Sequence, residues 1–195
     1  MEPFGLARDY YLETTSKIEL FIIVQRIRAL NSKKNKPEYS AALTREISWM
    51  EDFLKEMNTT VDKDLFAAMM QLYIENQPPA YVSAYAKEQL NHFKTYKAWA
   101  DGLYEKSVFA DKEKIMNLLK NNPSKLFDEL DYDGAAKLVL SISGLYDEVV
   151  TPKLNEHLVD ISKLQRDYMK AQMEVFSEKT FYPDANSTLR VAFGN

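Results

Sequence analysis

A chain of 195 residues is long enough for one well-buried domain, and 46% hydrophobic with 28% charged residues is the balance of an ordinary globular protein. Its 25 basic and 29 acidic residues leave a formal charge of −4, with neither sign gathered into a long block, which argues against a nucleic-acid partner. The absence of cysteine excludes disulfides, thiol catalysis and thiolate metal sites, and leaves the compartment open.

Glu2, Arg8 and Asp9 precede any apolar run, so the first residues do not read as a signal peptide. If the parent protein is exported, its signal lies upstream. Residues 20–24, the most apolar stretch, are too short to cross a bilayer, and no membrane span is expected. From about residue 4 to residue 30 the periodicity predicts one long helix. Its second half carries Leu20, Phe21, Ile23, Val24 and Ile27 on most of its circumference, which places it centrally in a bundle. Lys33, Lys34 and Lys36 belong to a solvated loop. Pro37 opens a second helix, which Ile47, Met50 and Leu54 carry to about residue 58. Asp62 is the expected N-cap of a third, ended by Pro78 and Pro79.

Residues 82–106 read as one or two helices rich in aromatics, including Tyr85, Phe93, Trp99 and Tyr104. Asp111 caps a short helix that Asn121, Asn122 and Pro123 break. Another short helix at 124–130 leads through an acidic turn to a helix at about 134–150. The last helix begins at Pro152 with Leu154, Leu158, Ile161, Leu164, Tyr168, Ala171 and Val175 on one stripe. It is expected to run about 29 residues, roughly 43 Å, until Pro183 stops it. No internal repeat recurs along the chain.

After a turn at Asp184, Ala185 and Asn186, the period changes to two. Leu189, Val191 and Phe193 alternate with Arg190 and Ala192 as in a half-buried strand. No other stretch reads as a strand to pair with it, and a lone strand leaves its backbone groups unsatisfied. It pairs with another copy, lies unpaired on a surface, or belongs to a sheet outside this sequence. The last reading, in which the chain is a piece of something larger, is the expectation.

The sequence offers no self-contained catalytic set. The acidic segment 129–134 has the glycine and alternating acids of a calcium loop, but Glu129 stands first and Leu140 twelfth, so a capped helix start is the better reading. His92 and His157 lie far apart and complete no zinc pattern; no metal or cofactor is expected. No Gly-x-Ser-x-Gly elbow or phosphate loop occurs, and the Ser141-Ile142-Ser143-Gly144 run sits inside an apolar helix. The triplets at 58–60 and 186–188 match glycosylation sequons, which arise often by chance.

The string Phe181-Tyr182-Pro183-Asp184-Ala185-Asn186-Ser187-Thr188-Leu189-Arg190 resembles a signature of bacterial serine dipeptidyl peptidases, the group called dipeptidyl-peptidase seven and eleven. Residues 6–13, 64–70, 107–113 and 168–170 are similar to the same family, in the same order. The resemblance implies exopeptidases that remove dipeptides from a free peptide N-terminus. In them a chymotrypsin-like double β-barrel carries a His-Asp-Ser triad, and a large helical domain inserted into the barrel caps the cleft.

On that resemblance the chain is all-α: an irregular multi-helix cap over residues 1–182, then a turn and strand at 183–195 that re-enter the absent barrel. The triad lies outside it, so no catalytic residue is assigned. Tyr182, Asp184 and Asn186 are the candidates for the cleft or barrel junction, against the alternative of a turn that only fixes the helix-to-strand junction. The implied partner is a peptide substrate bound through the parent's barrel, in a periplasmic or cell-surface protein, and a homodimeric parent is compatible with it. The competing reading is a free-standing helical interaction module, dimerising by its terminal strand.

Overall fold

The computed structural model of the chain describes residues 3–181. Among them ten α-helices follow one another, joined in places by single 3₁₀ turns, with no strand. They are α1 (Pro3–Lys17), α2 (Glu19–Asn31), α3 (Tyr39–Glu56), α4 (Thr59–Glu75), α5 (Ala84–Phe93), α6 (Tyr96–Lys106), α7 (Lys112–Asn121), α8 (Pro123–Asp128), α9 (Gly134–Leu145) and α10 (Thr151–Val175). The all-α class expected from the sequence is what these residues adopt. Tyr182, Asp184, Asn186 and the strand expected from Ser187 lie outside the described residues. Contacts divide the chain into two units, Met1–Leu154 and Asn155–Asn195.

The single long helix expected at 4–30 is in fact two. Ile18 is extended at φ −79° and ψ 111°, and α2 starts anew after it. The cause lies more than 40 residues away. The Asp62 carboxylate accepts from the backbone amides of Glu19 at 2.7 Å and Leu20 at 3.0 Å, taking two donors that a continuous helix would have spent internally. Asp62 is therefore not the cap of its own helix. That role falls to Asn58, whose side chain accepts from the amides of Thr60 and Val61 at the start of α4. The cap expected at Asp111 holds, its side chain accepting from the Lys114 amide; Asn122, expected only to break the preceding helix, also caps α8 by accepting from the Lys125 amide, with Pro123 opening that helix.

In the first unit α2 is the central helix, as its apolar circumference predicts. Leu20, Phe21, Ile23, Val24 and Ile27 are all fully buried, packed by α1, α3, α8 and α9. Each such side chain contributes about 1.5–3 kcal/mol by leaving water. Phe66 of α4 anchors the opposite side. Its ring meets Phe21, Trp99 and Tyr104 edge-on, at centroid distances of 5.9, 5.2 and 5.9 Å. At the end of α3, the Lys112 ammonium donates to the carbonyls of Leu54 and Met57, satisfying acceptors the helix leaves open.

Buried phenols tie the fold to alkaline pH. The Tyr73 hydroxyl donates to the carbonyl of Tyr81 and accepts from the Ser83 amide, and burial pushes its pKa up to about 12. Burial, then the Asp62 carboxylate, also raises Tyr104. A raised native pKa means the unfolded chain loses its phenolic proton first. The contribution is therefore whole below pH 10 and lost as pH rises through about 12. For Tyr73 that is about 2–3 kcal/mol. Phenolate absorbance between pH 9 and 13 should rise in two steps, the second coinciding with loss of helical circular dichroism. All phenols titrating near pH 10 with helicity intact would contradict this.

The helix expected at 134–150 is α9 followed by a π turn over Tyr146–Val150. Pro152 has no amide to donate back to the Glu148 carbonyl, and the wider turn immediately before it carries the Thr151 amide to Tyr146 instead. The ring of Tyr146 stacks on Tyr11 of α1 at 3.9 Å and 11°. Most of α10 belongs to the second unit and none of its residues is buried. It ends at Val175, short of the expected limit at Pro183. The Phe176 amide still reaches the Gln172 carbonyl, but Lys179 then bonds three residues back to Phe176, closing a tight turn.

Candidate functional site

One concavity in the first unit borders a buried carboxylate. Asp133, 7% exposed, caps α9 by accepting from the amides of Ala135 and Ala136 at 2.8 and 3.3 Å. The same carboxylate accepts from the Ser107 hydroxyl at 3.0 Å and the Val108 amide at 2.9 Å. One side chain thus locks the start of α9 to the turn after α6. An Asp-Gly pair before an apolar helix announces the cap, but nothing local announces the second attachment 26 residues upstream.

Beside this lock lies a cavity of about 490 Å³, lined by Phe93, Leu103 and Val108 together with Glu88, His92, Lys106, Glu129 and Tyr132. Its wall depends on Gly102: a Cβ there would come within 2.5 Å of the Phe93 ring. Phe93 is held just before Lys94, which closes α5 in the left-handed region at φ 70°. Burial, then the carboxylates of Glu88 and Asp133, raises the phenol of the neighbouring Tyr85. The size falls within the range of small-molecule and peptide side-chain sites, and the lining offers an apolar floor with charged groups at the rim. Among the described residues no group of three or more His, Asp or Glu could hold a metal ion.

The residues singled out in the sequence do not converge on this cavity as a set. His92 reaches it, with its ring edge-on to Phe93 at 4.8 Å, whereas His157 stands on α10. Ser141 of α9 meets Ser83 hydroxyl to hydroxyl at 2.5 Å, and Ser83 in turn caps α5 through the Ala86 amide. This pair pins α5 to α9. Ser143 accepts from Arg28 at 3.3 Å on the other side of α9. Asn58 of the first sequon spends its side chain on the start of α4. The junction candidates Tyr182, Asp184 and Asn186 lie outside the described residues.

Three of the stretches that carry the family resemblance have structural work in the first unit. Residues 6–13 form the middle of α1, where Ala7 is buried and Tyr11 stacks on Tyr146. Residues 64–70 bring Phe66 and Met70 into the core. Residues 107–113 hold the turn locked by Asp133 and the cap of α7.

Among known proteins, the chain is 30% identical over 196 residues to the Asp/Glu-specific dipeptidyl-peptidase of Flavobacterium psychrophilum, covering 98% of this chain and 27% of that protein. It is 26% identical to the Asp/Glu-specific dipeptidyl-peptidase of Capnocytophaga gingivalis, over 100% of this chain and 27% of the relative. The dipeptidyl-peptidase 7 of Phocaeicola vulgatus is 26% identical over 72% of this chain and 19% of its own length. The chain thus spans about a quarter of the length of these relatives. The sequence profile described as peptidase S46 matches residues 6–195, nearly end to end, and the chain belongs to the peptidase S46 family.

Proposed function

We propose that this chain is the non-catalytic helical cap of a serine-type dipeptidyl aminopeptidase, a periplasmic or cell-surface enzyme that releases dipeptides from peptide N-termini. The observation that supports it is one of proportion. The family match runs through residues 6–195, yet those residues make up about a quarter of relatives named as dipeptidyl-peptidases, and the described part is helical throughout. In this reading the His-Asp-Ser triad sits in a barrel outside the chain, with His and Asp before it and Ser after it. The strand from Ser187 re-enters that barrel, and Tyr182, Asp184 and Asn186 stand at the junction.

The cap's contribution is geometric. Closing one end of the cleft leaves room for only a short N-terminal segment of peptide, and it keeps water away while the acyl group is transferred. The test uses the full-length protein on peptides with free and with acetylated N-termini, bearing either an acidic or a hydrophobic second residue. Mass spectrometry should find dipeptides released from the free peptides alone, with the second residue setting the preference. Internal cleavage of free and acetylated peptides alike, or no cleavage, would contradict the reading. The second reading, a free-standing interaction module, draws on the exposed apolar side chains of α10. Dipeptide release by the full-length protein would remove it.

A further inference from the structure

Helix α10 is amphipathic, although Val159 lies among its charged residues and Met173 beside them. At 100° per residue, every Asp, Glu, Lys and Arg between positions 155 and 175 falls within an arc of roughly 120°. Leu158, Ile161, Leu164, Tyr168, Met169 and Val175 fall within roughly 140° on the opposite side, shared with His157, Gln165 and Gln172, along about 26 Å of helix. These six are between 37% and 71% exposed. A largely apolar strip of this length on a folded protein marks a surface that another surface covers.

We propose that this strip is the docking face for an apolar surface of the same polypeptide, contributed by the part of the protein outside this chain. Three observations choose that occupant. The apolar arc is broader than the narrow seam with which one helix meets a single coiled-coil partner, and has the width of a helix facing a globular core. Its immediate borders carry Asn155, Ser162 and Ala171, with Asp160 and Arg166 one step farther round, which is fewer flanking charges than a seam that selects and orients a second copy carries. Finally, relatives matched along 98% of this chain extend over nearly four times its length, since that match is 27% of theirs, which supplies ample polypeptide to cover it. The docked strip would anchor the helix that leads toward residues 182–186. It rests on family membership and on α10, and not on the catalytic reading.

The test is thiol accessibility in the full-length protein, with dipeptide release and circular dichroism measured on every variant. Ile161→Cys, Leu164→Cys and Tyr168→Cys probe the apolar arc, while Lys163→Cys and Lys170→Cys probe the charged one. The apolar positions should react with a soluble maleimide at least about a hundredfold more slowly than the charged ones, the factor expected when labelling requires local opening. That protection should not change with protein concentration. Equal reactivity on the two faces would overturn the proposal. Protection that grows with concentration would also overturn it, by assigning the strip to a second copy. Should the cysteine variants not fold, hydrogen exchange of the unaltered protein decides instead: amides of 158–175 must be slow in the full-length protein and fast in the 195-residue chain. Loss of dipeptide release with protection intact would count against the catalytic reading alone.

Discussion

Replacing Asp62 with alanine should destabilise the chain by about 3 to 5 kcal/mol, the largest single-residue effect expected here. Asp62 is 2% exposed, and three donors converge on its carboxylate: the amides of Glu19 and Leu20, and the Tyr104 hydroxyl at 2.6 Å. Alanine leaves all three facing a void. A buried donor that loses its partner costs about 1–3 kcal/mol, so the amides alone account for most of the effect. Tyr104 keeps a weaker alternative in the Asp62 backbone carbonyl at 3.2 Å.

The comparison that isolates the mechanism is Asn58→Ala. It removes an ordinary exposed cap from α4 and should cost only about 1 kcal/mol. Asp62→Asn should fall between the two, because one amide oxygen remains while the new NH2 group opposes a second donor. Urea denaturation followed by tryptophan fluorescence measures all three, and Trp99 is a suitable reporter because it is fully buried against Phe66. Near-equal losses for Asp62→Ala and Asn58→Ala would mean that Asp62 is just another surface cap.

Asp62 also shows where sequence reasoning stopped. An acid just before an apolar periodic run reads as an N-cap, and locally that reading was sound. What decides its role is the pair of unsatisfied backbone amides at the start of α2, 42 to 43 residues earlier in the chain, brought beside it by tertiary packing. The break at Ile18 leaves no local mark for the same reason, since Ile18 and its neighbours have helical periodicity straight through. Patterns governed by short-range chemistry were legible: the central burial of α2, the cap at Asp111, the break at Asn122 and Pro123, and the start of α9.

The contour of the candidate cavity was not legible. It depends on Gly102 admitting the Phe93 ring and on Asp133 gripping Ser107, and both are contacts between segments that no spacing rule connects. The stripe on α10 was legible as amphipathic, yet periodicity could not say that the stripe would stand exposed. Such a face in a sequence reads the same whether or not its covering partner is present.

The second large effect concerns catalysis, and it bears on the central claim that these helices restrict the cleft. If they do, excising them from the full-length protein and bridging the gap with a short flexible linker removes both the wall that limits substrate length and the shield against water. Misplacing a substrate by about 1 Å can cost on the order of a hundredfold in rate, and an open cleft permits far larger displacements. The measurement is the distribution of product lengths from one long peptide with a free N-terminus, compared between the intact and the excised protein, with folding of the remainder checked by circular dichroism. Dipeptide release falling at least about a hundredfold, with residual products of mixed length, is the predicted result. Undiminished release of dipeptides alone, from a protein lacking these helices, would contradict it.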